Sequence, residues 1–328
     1  MVSGVRLKGW VEVDGRRLSE SEVGEILKES PSHASNFGGE FFLCWNGWMA
    51  RDHFGIIPGD CPAGTIVCGG EVVGAVDLQP PASDLDRAIE TAVRLRSDEG
   101  VVALSGGVDS ALVAAIARRE CVVVGVEGSH DRKRARAVAD VLDLSLETAV
   151  IDPGRIEEAL VSVLAALPRV TPVDASIAAT LYFVAEWAED HGHKRILAGQ
   201  GADELFGGYA RYLETKTLGD DLERDFRDLA VQAARDQAVA GLFGAYFSLP
   251  YLDVRVVRMA MAIPPEEKVR DGIRKRPLRE VAARCMSTDI AYYEKKAMQY
   301  GSGVMREMKR LARRKGYRKV GDYLEEIG

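Results

Sequence analysis

Val101-Val102-Ala103-Leu104-Ser105-Gly106-Gly107-Val108-Asp109-Ser110-Ala111-Leu112-Val113 reads as a short strand, a glycine turn and the start of an apolar helix that runs on through Ala117. A compact apolar run of this kind fits a strand covered on both faces. The order strand, turn, helix points several backbone N–H groups at one spot, at the positive end of a helix dipole, and a phosphate is the expected guest. Gly106 and Gly107 permit backbone angles and a close approach that a side chain would block. Ser105 and Ser110 add hydroxyl donors. Asp109 by itself repels phosphates; a Mg²⁺ ion held between Asp109 and the phosphate oxygens removes the conflict. The Walker form GxxxxGKS/T is absent, so transfer of a terminal phosphate is not expected, and so short a loop suits pyrophosphate as the leaving group.

Outward from this loop, Cys121–Val126 is a second compact apolar run, and Leu146–Ile151 and Arg195–Ala198 are further strand candidates. Helical periodicity fills the gaps: Asp84–Arg96 places Leu85, Ile89, Ala92 and Val93 near one face, with Ser83 or Asp84 as N-cap. Alternating strands and helices predict a doubly wound α/β domain around a parallel sheet. Upstream the texture differs. Residues 1–80 carry short alternating runs, Gly39–Met49 and Gly64–Val76, which read as strands joined by turns, and Gln79-Pro80-Pro81-Ala82-Ser83 reads as a linker. The expected division is a small β-rich domain over residues 1–80 and an α/β domain over 81–328.

Hydrophobic content of 47% and charged content of 28% are those of an ordinary globular protein, and the net charge of −7 argues against a general nucleic-acid coat. The one strongly basic stretch, Arg306–Lys319, reads as a solvated helix. Five cysteines show neither CxxC pairs nor zinc spacing, which fits reduced thiols. The N-terminus lacks the apolar core of a secretory leader and no apolar run reaches membrane-spanning length, so a cytoplasmic location is expected.

A second glycine-rich loop, Gly199-Gln200-Gly201-Ala202-Asp203-Glu204-Leu205-Phe206-Gly207-Gly208-Tyr209, follows the strand candidate at Arg195. Its acidic pair lies where ligands of open α/β sheets collect. The pairing of SGGVDS with GQGADELFGGY resembles the synthetase domain of asparagine synthetase and β-lactam synthetase, within the ATP-pyrophosphatase (PP-loop) superfamily. Val124–Ser129 with Asp131, Leu249-Pro250-Tyr251-Leu252-Asp253, Lys275–Glu280, and Lys295-Lys296 with Gln299-Tyr300-Gly301 resemble further segments of that family, so the likeness covers roughly residues 84–305.

The resemblance implies an AMP-forming ligase. Ser105, Gly106, Gly107 and Ser110 would hold the pyrophosphate portion of ATP, Asp109 and Asp203 would bind Mg²⁺, and Leu104, Val126 and Gly199 would border the adenine. A substrate carboxylate would attack the α-phosphorus, and ammonia or an amine would then take the acyl group and expel AMP. Lys295, or Lys296 after a one-residue shift, would stabilise the developing charge.

The sequence also departs from the family pattern. Gln200 stands where the family usually has Glu, or Tyr in β-lactam synthetase, and an amide is no general base near neutral pH. Gly244–Ser248 lacks the acid and the Arg usual before the Pro-Phe-Leu-Asp segment, which nominates Tyr246 as a replacement base. Gly39–Leu43 and Ala50–Ile56 resemble the closing strands of the family's glutaminase domain, but Val2 occupies the place of its nucleophilic cysteine. No glutamine hydrolysis is therefore expected, and the nitrogen donor would be free ammonia, another amine, or a partner glutaminase subunit. A second copy of the chain, as a homodimer, is a further partner to consider. Two other readings stay open: a PP-loop enzyme that modifies tRNA, and a non-catalytic ATP- or AMP-binding regulator.

Overall fold

The computed structural model describes residues 4–167, 170–294 and 298–328. The first sheet is antiparallel and has six strands, β1 (Arg6–Val13), β2 (Arg16–Leu18), β3 (Gly38–Trp45), β4 (Trp48–Arg51), β5 (Thr65–Cys68) and β6 (Glu71–Ala75). Their spatial order is β2-β1-β3-β4-β5-β6. Two-residue turns at Asp14-Gly15 and Asn46-Gly47, all four residues at positive φ, close the β1–β2 and β3–β4 hairpins with the twist the strands require.

The second sheet contains β7 (Val101–Ala103), β8 (Cys121–Val126), β9 (Leu146–Ile151), β10 (Arg195–Leu197) and β11 (Tyr246–Ser248), in the order β11-β10-β7-β8-β9. The β10–β7, β7–β8 and β8–β9 pairs are parallel, as expected for a doubly wound α/β fold. The helices, in chain order, are α1 (Glu20–Glu29), α2 (Leu85–Arg94), α3 (Val108–Ala117), α4 (His130–Leu142), α5 (Ile156–Ala166), α6 (Pro172–Asp190), α7 (Ala202–Phe206), α8 (Leu218–Gly241), α9 (Val254–Ala262), α10 (Pro265–Lys268), α11 (Arg276–Cys285), α12 (Thr288–Ala291), α13 (Met298–Gly301), α14 (Val304–Arg314) and α15 (Val320–Ile327). Among the described residues no helix is long and apolar enough to cross a membrane.

The chain forms two compact units that do not follow its linear order. One holds the residues up to Arg96 together with Gln200–Ala234 and Ser248–Lys275; the other holds Ser97–Gly199, Arg235–Phe247 and Arg276–Gly328. The Pro80-Pro81 linker marks the change from one sheet to the next, whereas the first unit continues past it through α2.

The N-terminal region is not all strand and turn. Ser19 and Glu22 form a reciprocal capping box that starts α1, which lays Val23 and Leu27 on the sheet. Alternation along β3 sends Phe41, Leu43 and Trp45 to that face, where they meet Val11, Phe37 and Ala50. On the other face Glu12 and Glu40 are fully buried. Glu40 accepts hydrogen bonds from Trp10 Nε1 (3.2 Å), Arg96 Nε (2.7 Å), Ser248 Oγ (2.6 Å) and the Leu249 N–H (2.8 Å). Arg96 also reaches Asp253 at 2.9 Å, and Arg255 joins Asp253 (3.1 Å) to Glu12 (2.6 Å). Burial pushes the Asp253 carboxyl up, but the two guanidiniums beside it hold it below its ordinary value.

Removing one member of such a chain strands its partners in a dry interior, which costs about 3–5 kcal/mol. Arg96→Ala is therefore expected to lower the unfolding free energy by about that amount. Urea denaturation followed by tryptophan emission checks it, since Arg96 lies over the Trp10 ring.

Candidate functional site

The loop after β7 takes the form its sequence demands. Gly106 has φ +77°, and a methyl group there would lie 2.8 Å from the Ala135 backbone nitrogen and 2.7 Å from Arg134 Cγ, so the position admits only glycine. Gly107 is the N-cap of α3 and no side chain caps that helix end. Ser110 Oγ closes the turn: it accepts the Ser105 N–H (3.1 Å), lies 3.0 Å from Ser105 Oγ and donates to the Gly107 carbonyl (3.3 Å). The Ser110 hydroxyl, expected from sequence to face the anion, thus also serves to shape the loop. Half-buried Asp109 stands in the first turn of α3.

Parallel pairing of β10 with β7, Ile196 beside Val101 and Leu197 beside Val102, brings the chain out of both strands at the same edge. Gly199 then passes against the first loop: a methyl on it would fall 2.9 Å from Asp109 Cβ and 3.1 Å from the Ser110 nitrogen. Leu104, next to β7, is buried and donates its N–H to the Val122 carbonyl. Val126, at the end of β8, is buried and donates its N–H to Ser302 (3.0 Å), which carries the stretch 301–303 to this edge. Just before residues 295–297, Tyr293 is clasped by α4. Its hydroxyl lies 2.9 Å from His130 Nε2, and the Arg134 guanidinium sits 3.7 Å above its ring. Lys295 and Lys296 themselves lie outside the described residues.

Tyr246 is not brought to this edge. Its N–H bonds to the Lys194 carbonyl and its hydroxyl accepts from Arg195 Nε at 2.6 Å, at the beginning of β10. Arg195 is buried there and paired with Asp98 and with Glu99 (2.9 Å), ahead of β7. Strand polarity puts this cluster at the end of the sheet opposite the glycine loop, so Tyr246 is a structural partner of Arg195 and the base expected of it is withdrawn.

The second loop continues in the other compact unit. Gln200 is half-buried in the turn, Gly201 is the left-handed N-cap of α7, and the Asp203 carbonyl accepts the N–H groups of Gly207 (3.0 Å) and Gly208 (2.8 Å). The Asp203 side chain, 44% exposed, forms an ion pair of 2.8 Å with Lys275, whose side chain is 8% exposed. A methyl on Gly208 would fall 1.8 Å from Asp203 Oδ1, so the glycine makes room for that pair. Glu204 points the other way: it is buried, receives Tyr209 Oη–H and Gln232 Nε2–H (3.0 Å), and is held above its ordinary range by burial and by the charge of Asp203. Lys268 is buried close to Gly207 and burial pushes its ammonium down to about 8. In the sequence Lys275 stands out only as the first residue of the family-like segment Lys275–Glu280, and nothing there pairs it with Asp203.

Asp109 and Asp203 each offer hard carboxylate oxygens of the kind Mg²⁺ takes, one or two at a time, with phosphate oxygens and water completing its shell. Among the described residues no group of three acids, histidines or cysteines forms an all-protein metal site.

The asparagine synthase family model matches residues 84–247 and 241–319, and so takes in both loops. The chain belongs to that family. It is 33% identical over 291 residues to asparagine synthetase [glutamine-hydrolyzing] 1 of Methanocaldococcus jannaschii, an alignment covering 74% of this chain and 54% of that protein. It is 25% identical over 252 residues to asparagine synthetase B of Escherichia coli, covering 67% and 45%. The chain thus spans about half the length of the curated relatives it matches.

Two outcomes follow from this geometry. Gly199→Ala displaces Asp109 and Ser110 by a fraction of an ångström or more, and a misplacement on the order of 1 Å costs about a hundredfold in rate; calorimetric titration with Mg-ATP and turnover should both register the loss. Lys268 has a folded-state pKa of about 8 against an ordinary 10.5, so the unfolded chain binds the extra proton between these values and stability rises with pH across that window. Lys268→Met should remove the rise and stabilise the protein at pH 7, as thermal unfolding between pH 7 and 10.5 will read.

Proposed function

We propose that the protein is an ATP-dependent, AMP-forming amide ligase that activates a small acid as its acyl-adenylate and passes the acyl group to ammonia or an amine. The observation that carries this reading is the contact of Gly199 with Asp109 and Ser110, which sets the start of the second glycine loop against the first at the exit edge of the parallel sheet. N–H groups of the uncapped α3 terminus, with the Ser105 hydroxyl, bind the β- and γ-phosphates as a unit that departs as pyrophosphate. Leu104 and Val126 give the adenine apolar walls. Asp109 and Asp203 would be the carboxylates for Mg²⁺, which when bound would neutralise charge on the phosphate oxygens. Lys275, paired with Asp203, offsets the charge of that carboxylate.

Gln200 orients a substrate group by hydrogen bonding and takes no proton. The amine therefore gives up its proton to the departing AMP phosphate or to water. Either Lys295 or Lys296 stabilises the charge at the α-phosphorus and at the acyl carbon. Nitrogen comes from free ammonia, an amine or a separate glutaminase subunit.

ATP–pyrophosphate exchange across amino acids and small carboxylic acids tests the reading. Exchange with one acid is expected, and Asp109→Asn should abolish it while circular dichroism and melting temperature stay unchanged. Exchange that survives Asp109→Asn removes the metal assignment; ATP binding with no exchange for any acid removes the ligase.

A further inference from the structure

Between Val304 and Lys319 the chain carries eight basic residues and one acid, a net +7, so the rest of this −7 protein carries −14. The structure turns this local charge into a surface. Val304, Met305, Met308, Leu311 and Ala312 form the buried stripe of α14, packed within its unit against α5, α6, α13 and α15. Arg306, Lys309, Arg310, Arg313 and Arg314 are all exposed, at the spacing that puts them on the opposite face. From Arg306 to Arg313 that face runs about 10 Å along the helix. Glu307 takes up part of the charge through Arg306 and Arg310, and Glu157 takes up Lys315. Among the described residues no acid pairs with Lys309, Arg313 or Arg318.

We infer that this face of α14 binds the phosphodiester backbone of RNA. Three kinds of anionic surface compete for such a ridge, and the packing separates them. An amphipathic helix grips a membrane by inserting its apolar face, and here that face is already spent on the protein core. A stable protein interface centres on apolar or aromatic anchors, and no large apolar side chain is exposed between Val304 and Gly328. What the ridge offers is cationic charge without an apolar centre, the chemistry that neutralises phosphates. Duplex DNA is read by a helix that enters the major groove, about 12 Å wide. A helix flanked by packed neighbours, with its N-terminus tied to β8 through Ser302 and Val126, does not enter that groove. An exposed RNA backbone can lie along it from the side. Because α14 starts at the exit edge of the sheet, RNA on the ridge would approach the glycine loop that follows β7.

The inference stands apart from the ligase reading, and its test separates the two. The protein is titrated with a fluorescein-labelled 20-nucleotide single-stranded RNA between 50 and 300 mM KCl, with duplex DNA, poly-L-glutamate and phosphatidylglycerol vesicles as competitors. About four engaged phosphates give a slope of log K against log salt near −3. Lys309→Glu with Arg313→Glu should weaken binding roughly tenfold or more and flatten the slope by about 1.4. Lys309→Gln with Arg313→Gln should give a smaller loss in the same direction. Both double variants should keep the wild-type melting temperature and exchange rate with a small acid. Absence of RNA binding at 50 mM KCl, variants that bind like wild type, or any competitor that outbids RNA charge for charge would overturn the inference. A protein that binds RNA but exchanges with no acid keeps this inference and loses the ligase.

Discussion

The parallel pairing of two very short strands governs this molecule's chemistry. With three residues each, β7 and β10 leave almost no freedom in where they end, so both glycine loops must leave the sheet at one edge. Each strand is also fixed at its other end. Arg195 grips Asp98, Glu99 and Tyr246 where β10 begins, so sliding the register would pull a buried guanidinium away from its anions. The exit edge is therefore set from behind, and side chains at opposite ends of the same strands have unrelated duties.

The other compact unit depends on charge buried in a chain. Glu12, Glu40, Arg96, Asp253 and Arg255 connect β1, β3, the end of α2 and the start of α9. This explains the segment Leu249–Asp253. Asp253 caps α9 through the Arg255 N–H and also neutralises two guanidiniums. It explains Ser248 as well. Its small hydroxyl donates to Glu40, whose carboxylate is also met by Arg96.

Much of this was legible in the sequence. β8 coincides with its apolar run, β9 and β10 fall where weaker runs put them, and Asp84 caps α2 as its side chain suggests. The two loops declare themselves because glycines and small residues at fixed spacing have few other uses. The misses have physical causes. Helix α1 hid in a region dominated by strand signals, although Ser19 and Glu22 carry a capping box. Tyr246 was nominated for its place beside a known segment, and segment order does not reveal which end of a strand a residue occupies. Lys275 and Asp203 are 72 positions apart, and their meeting depends on a left-handed backbone at Lys275 (φ 55°) that no side-chain pattern announces.

That pair has a further consequence. With its ammonium against Asp203, Lys275 already meets the carboxylate with a positive charge, which offsets the repulsion from its acidic neighbour Glu204. A divalent ion bound at Asp203 would have to share the oxygen with this ammonium or displace it. Any metal affinity measured there would then report a swap of one cation for another.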